Sequence, residues 1–115
     1  MTIKLINAGL LLILSIGFYA CNQSTSTKQA EFYVRGNCGM CEERIETTLK
    51  GLDGVVLADW DVETKKIKVT YDTLKLTDLK IQETIANAGH ETKNFQSPQA
   101  VHDALPECCK KGSSM

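Results

Sequence analysis

The stretch GNCGMCEERIETTLKGLDGVVLADWDVETKKIKVTYD, Gly36 to Asp72, changes its periodicity once, from helical to alternating, and that change decides the fold. From Cys41 onward, Ile45, Leu49 and Leu52 recur at helical spacing, Glu42, Glu43 and Glu46 suit the positive end of a helix, and Gly51 and Gly54 punctuate its exit. The spacing predicts a helix over residues 41–50. Val56, Ala58, Trp60 and Val62 then alternate with other positions, and Ile67, Val69 and Tyr71 alternate again after Glu63-Thr64-Lys65, which predicts a β-hairpin. Working outward, residues 31–34 are aromatic and β-branched, a short strand that ends at Gly36-Asn37 and turns one of Phe32 and Tyr33 inward. On the other side Thr77 is placed as an N-cap, Leu79, Ile81 and Ile85 supply an apolar side, and Gly89 ends a second helix over 78–88. A last short strand over 90–94 completes the order β-α-β-β-α-β. The expected class is α+β, a ferredoxin-like sandwich with two helices on one face of a four-stranded antiparallel sheet.

The chain has 115 residues and room for one ordinary domain. Thirteen Lys and Arg stand against fourteen Asp and Glu, a net charge of −1, with both signs interspersed. No basic excess is gathered for phosphate recognition, so a nucleic-acid partner is not expected. Residues 1–20 hold one basic residue, Lys4, and an apolar run from Leu5 to Ala20. At sixteen residues, broken by Asn7 and Ser15, that run is shorter than the roughly 20 a spanning helix needs and reads as a signal peptide. The small residue before Cys21 and the polar linker 21–29 after it resemble a bacterial lipoprotein signal, although Phe18 and Tyr19 depart from that pattern. The expected location is therefore the periplasm, either anchored to a membrane through lipidated Cys21 or secreted there, with a folded domain over 30–95 and a cysteine-containing tail over 96–115.

The stretch quoted above, continued by LKIQETIANAGHE, resembles the heavy-metal-associated domain of copper chaperones, mercury-binding periplasmic proteins and the N-terminal modules of metal-transporting ATPases. The resemblance runs from Phe32 to about Phe95 and rests on the C-x-x-C between first strand and first helix. It implies a non-enzymatic metal-binding protein, monomeric, with a metal-transporting ATPase or an efflux or uptake transporter as partner. The sequence departs from the family at Gly36, where the common pattern has Met packing under the metal loop; here Met40 stands between the cysteines instead.

Cys38 in a turn and Cys41 in the first helical turn can face one point, and the unsatisfied N–H groups of a helix start favour thiolate. Two soft anions on an exposed loop make a site for Cu(I) foremost, or for Hg(II); Zn(II) is the borderline candidate, since structural zinc usually takes four ligands. The rival is a thiol–disulfide redox protein using the same C-x-x-C, or a structural disulfide, both compatible with an oxidising compartment. No Ser-His-Asp or Cys-His-Asn pattern is evident, so no enzyme is expected. Two features near the pair carry a tuning role as alternatives to plain packing: Met40, and His90, which follows Gly89 and reads otherwise as a partly exposed strand residue. Lys65, Lys66 and Lys68 cluster at the hairpin as a solvated turn or a docking patch. In the tail, residues 99–105 predict a short amphipathic helix stopped by Pro106. Cys108 and Cys109, with His102, then form a second soft-metal site, complete the first one, pair as disulfides with it, or remain incidental thiols.

Overall fold

The computed structural model describes residues 26–110. The stretch read as a signal peptide and Cys21 lie outside the described residues, and among those described no helix is long and apolar enough to cross a membrane. Three strands, β1 (Thr27–Tyr33), β2 (Val55–Trp60) and β3 (Lys66–Asp72), form an antiparallel sheet in the order β1-β3-β2. Helices α1 (Gly39–Lys50) and α2 (Asp78–Asn87) pack on it, and a short α3 (Gln99–Asp103) and a single 3₁₀ turn, Glu107–Cys109, follow.

The α+β class holds, with its last strand reduced. In place of a strand over 90–94 there is one antiparallel bridge, Val34 with Thr92, supported by Arg35 N–H donating to the Glu91 carbonyl at 2.8 Å. The ladder stops there because Thr92 N–H turns to the Phe95 carbonyl, 2.9 Å away, and is lost to cross-strand pairing. At the other end β1 begins at Thr27, inside the stretch read as linker. Thr27, Lys28 and Gln29 are exposed and carry no apolar signal, yet they pair in register with Asp72, Tyr71 and Thr70.

The core lies between one face of the sheet and the two helices. Alternation places Ile67, Val69 and Tyr71 of β3 inward, against Ile45 and Leu49 of α1 and Ile81 and Ile85 of α2. Burial of each such side chain stabilises the fold by about 1.5–3 kcal/mol. Phe32 is buried and Tyr33 exposed, as their alternation requires. Three inward assignments fail, the first at Val62, which is exposed because β2 ends at Trp60. Val56 is exposed because the register shifts between Val55 and Leu57, so the parity carried back from Ala58 breaks. Leu79 is exposed at the first turn of α2, where Ile81 and Ile85 already fill the inner face. Thr77 caps α2 as expected, its hydroxyl accepting from Lys80 N–H at 3.1 Å.

Gly36 and Gly89 shape the floor under the cysteine loop. A Cβ at Gly36 would lie 2.8 Å from the Trp60 ring, so the indole occupies the space a side chain would need there. Trp60 is fixed in turn by its Nε1–H, which donates to the Val34 carbonyl at 3.0 Å. The ring thus supplies packing beneath the loop at the place where the family pattern has Met. Gly89, at φ +108°, closes α2 in a conformation that L side chains rarely adopt, and a Cβ there would meet Leu105 at 2.9 Å.

Candidate metal centre

Cys38 is the N-cap of α1, which starts at Gly39, two residues earlier than the periodicity predicts. The Cys38 carbonyl accepts from Cys41 N–H at 3.0 Å and Glu42 N–H at 3.1 Å, closing a turn that brings the two Sγ atoms to 3.4 Å. Asn37 N–H donates to Cys41 Sγ at 3.4 Å. The pair sits at the positive end of α1, as the spacing requires.

The loop is not exposed. Cys38 and Cys41 are both buried and belong to the hydrophobic core, because the tail folds over them. Cys108 Sγ lies 2.7 Å from Cys38 Sγ, and Cys109 Sγ lies 3.8 Å from Cys38 Sγ and 3.9 Å from Cys108 Sγ. The thiol of Cys108 also donates to Met40 Sδ at 3.6 Å, so Met40 reaches the cluster while itself remaining exposed. Cys38, Cys41, Cys108 and Cys109 are thiols and form no disulfide with one another. Cys38, Cys108 and Cys109 place their sulfurs within 4.8 Å of one another, a spacing that suits a shared metal ion.

Burial pushes the Cys38 thiol up, but hydrogen bonds with Cys108, with the Cys41 backbone, and with the thiols of Cys41 and Cys109 outweigh it and bring it down to about 7. Its neighbours move the other way. The hydrogen bond with Cys38 raises Cys108, and burial followed by the bonds with Cys41 and Cys38 raises Cys109. Among Cys38, Cys108 and Cys109 the negative charge therefore settles first on Cys38.

The two histidines stay outside the sulfur group. His90 is fully buried, against the expectation of partial exposure, because it lies between the end of α2 and the Arg35 backbone. Its Nδ1 is 2.9 Å from the Arg35 carbonyl and its Nε2 has no partner. Burial holds it neutral, with a pKa lowered to about 4. In the tail, the Nδ1 of His102 stands 3.6 Å from an Asp103 carboxylate oxygen, and the cluster of soft ligands does not include it. A second grouping, Glu42, Glu46 and Asp59, offers hard oxygens, of which Glu46 Oε1 already accepts from Trp60 N–H at 3.0 Å. Of the lysines at the hairpin, Lys65 places its ammonium 5.6 Å from the Trp60 ring centroid.

Sequence reasoning passed over Asn37, whose backbone meets Cys41 and whose side-chain Nδ2 donates to the Lys110 carbonyl at 2.9 Å. It read Leu105 only as an apolar residue of a helix and missed that it fills the notch over Gly89. Neither role has a periodic signature.

Residues 32–91 match the heavy-metal-associated domain, and the chain belongs to that family. It is 35% identical over 57 residues to the copper chaperone CopZ of Staphylococcus saprophyticus, covering 50% of this chain and 84% of that protein. It is 38% identical over 69 residues to a zinc-transporting ATPase of Synechocystis, covering 59% of this chain and only 10% of the ATPase. Among solved structures, a CopZ metallochaperone superposes with a TM-score of 0.55 at 30% identity, covering 56% of this chain and 98% of the other.

Proposed function

We propose that the chain binds one soft metal ion, Cu(I) foremost, through Cys38 and Cys41, and buffers it or passes it to a transporter. The observation that carries this reading is the pair of sulfurs at 3.4 Å on the positive end of α1, in a chain of this family. Copper-chaperone relatives support the choice of Cu(I); thiolate softness admits Hg(II) equally, and the zinc-transporting relative keeps Zn(II) in the competition. Cys38, with its thiol near neutrality, supplies the first thiolate, and Cys41, reached within the same helical turn, supplies the second. Transfer then proceeds by exchange of sulfur ligands, one from the partner entering as one from this chain leaves. The partner class that fits is a metal-transporting ATPase or an efflux or uptake transporter. We read the apolar run from Leu5 to Ala20, with a small residue before Cys21, as directing export to the periplasm and a lipid tether at Cys21, from which the linker lets the domain search near the bilayer.

Native mass spectrometry of the reduced chain from Cys21 onward, with Cu(I), Hg(II) and Zn(II) in competition, tests the reading. One tightly held soft ion is expected, lost in C38S/C41S. Unchanged binding by that variant overturns it. The lowered thiol of Cys38 also favours a thiol–disulfide redox role as the second reading. Catalysed reduction of an insulin disulfide by the metal-free protein, abolished by Cys38→Ser, would favour that role instead. Fatty-acyl labelling that is present in the wild type and lost in Cys21→Ser tests the anchor.

A further inference from the structure

A metal site made of Cys38 and Cys41 alone needs no cover, yet the structure provides one. The family match ends at Glu91, and the chain beyond it returns across the domain to the cysteine loop. Pro98 starts α3, its carbonyl accepting from Val101 and His102 N–H, and Leu105 drops into the notch that Gly89 leaves open. The 3₁₀ turn then delivers Cys108 and Cys109 to Cys38, and the Asn37 side chain holds the Lys110 carbonyl. Neighbouring side chains in extended chain point to opposite sides. Here the turn directs two adjacent sulfurs toward one point, with Cys109 fully buried. A residue present only to fill space at that point would account for one cysteine and not for both.

The sulfur spacing has the scale of a metal shell. Four thiolates about 2.3 Å from one tetrahedral ion stand about 3.8 Å apart. The distances from Cys38 to Cys41 and Cys109, and from Cys108 to Cys109, are 3.4, 3.8 and 3.9 Å. The Cys38 to Cys108 separation, 2.7 Å, must widen, and Cys108 lies at the partly open side of the cluster; Cys41, which stands outside the three sulfurs within 4.8 Å of one another, joins the ion through Cys38 at 3.4 Å.

We propose that Cys108 and Cys109 are ligands to the same ion as Cys38 and Cys41, so that the tail is a thiolate lid converting a two-sulfur transfer site into a closed site of three or four sulfurs. The proposal rests on the soft-metal reading of Cys38 and Cys41. Closed, the ion is shielded from water and from a partner's thiolates; for transfer the lid must lift, because its own sulfurs occupy the place an incoming sulfur would take. The tail therefore sets the balance between holding and handing over.

The test uses the reduced chain from Cys21 onward, loaded with one equivalent of Cu(I). X-ray absorption should count three or more sulfurs around copper in the wild type and two in both C108S/C109S and C108A/C109A. Competition against a chromophoric Cu(I) chelator should show both variants weakened by at least ~10²-fold, the gain expected from ligands held in cis. The alanine pair keeps the buried position of Cys109 apolar, so weakening by the serine pair alone would assign the effect to packing and overturn the proposal. Two-sulfur copper in the wild type, or two ions bound independently at the two pairs, would also overturn it. Binding that survives C38S/C41S is a different failure, since it removes the reading on which the lid depends.

Discussion

Cys38 caps and Cys41 belongs to a helix of 12 residues whose buried side, Cys41, Ile45 and Leu49, is locked into the core, whereas Cys108 and Cys109 stand on a three-residue turn after a five-residue helix with no buried residue of its own. The first pair is positioned by the same contacts that fold the domain. The second is positioned by a few attachments, chiefly Leu105 against Gly89 and Asn37 on Lys110, in addition to the sulfurs themselves. Short elements of this kind open locally at far lower free energy than the core does. The contrast teaches that one sulfur cluster can be half scaffold and half docked segment. Removing parts of each half should have different consequences.

The largest difference is expected in metal affinity. Sharing the roughly 10–16 kcal/mol of a four-ligand structural zinc equally assigns about 3 kcal/mol to each thiolate, so C38S/C41S should lose ~10⁴-fold or more in Cu(I) affinity. Loss of the docked pair should cost less, because that pair must first be ordered. Chelator competition on both double variants measures this directly, and equal losses would erase the distinction between scaffold and lid.

Acid acts on the scaffold half next. His90 is neutral in the fold, with its pKa lowered to about 4 by burial, against about 6.5 when unfolded. Between these values the unfolded chain binds a proton that the folded chain does not, so stability rises with pH through this window and is lost as pH falls from about 6.5 to 4. The full loss is about 3 kcal/mol, from 1.36 kcal/mol per pKa unit. Chemical denaturation of the metal-free protein across pH 4–7 checks it, with His90→Gln expected to flatten the profile.

Leu105→Ala addresses the lid without touching a sulfur. Truncating a buried Leu costs about 2 kcal/mol at the low end, here charged to docking of the tail and not to the core. Amide exchange in α3 and the 3₁₀ turn should then accelerate by roughly 30-fold while α1 is unchanged. Equal acceleration in α1 would mean that tail and scaffold open as one unit.

The sequence made the two halves legible to different degrees for a physical reason. Helix and hairpin periodicity records which side of an element faces the core, so α1, α2, the β2–β3 hairpin, the Thr77 cap and the stop at Gly89 could all be read. The start of β1 could not, because Thr27, Lys28 and Gln29 are exposed and pair through their backbone. The last strand was overread because nothing in His90 to Asn94 announces that Thr92 N–H will turn to Phe95. At the site, C-x-x-C spacing predicted from local geometry alone that the sulfurs of Cys38 and Cys41 meet. Burial of that pair, the lid's seat on Gly89 and the meeting of the two cysteine pairs depend on contacts between segments distant in sequence, Leu105 with Gly89 and, 70 residues apart, Cys38 with Cys108, which no local pattern encodes.

The smallest effect isolates the latch. Asn37 serves both halves through different groups: its backbone N–H donates to Cys41 Sγ, and its side-chain Nδ2 donates to the Lys110 carbonyl. Asn37→Ala keeps the first bond and deletes the second. A single neutral hydrogen bond contributes about 1 kcal/mol, which corresponds to roughly fivefold in the population of opened lid. Transfer of Cu(I) from the variant to an acceptor chelator should therefore run about fivefold faster if lifting of the tail precedes ligand exchange. The number of sulfurs around copper at equilibrium should stay as in the wild type, since no ligand has been removed and Leu105 still seats the tail. A changed sulfur count with an unchanged rate would show that Asn37 acts through the cysteine loop, and the division of its two roles would be lost.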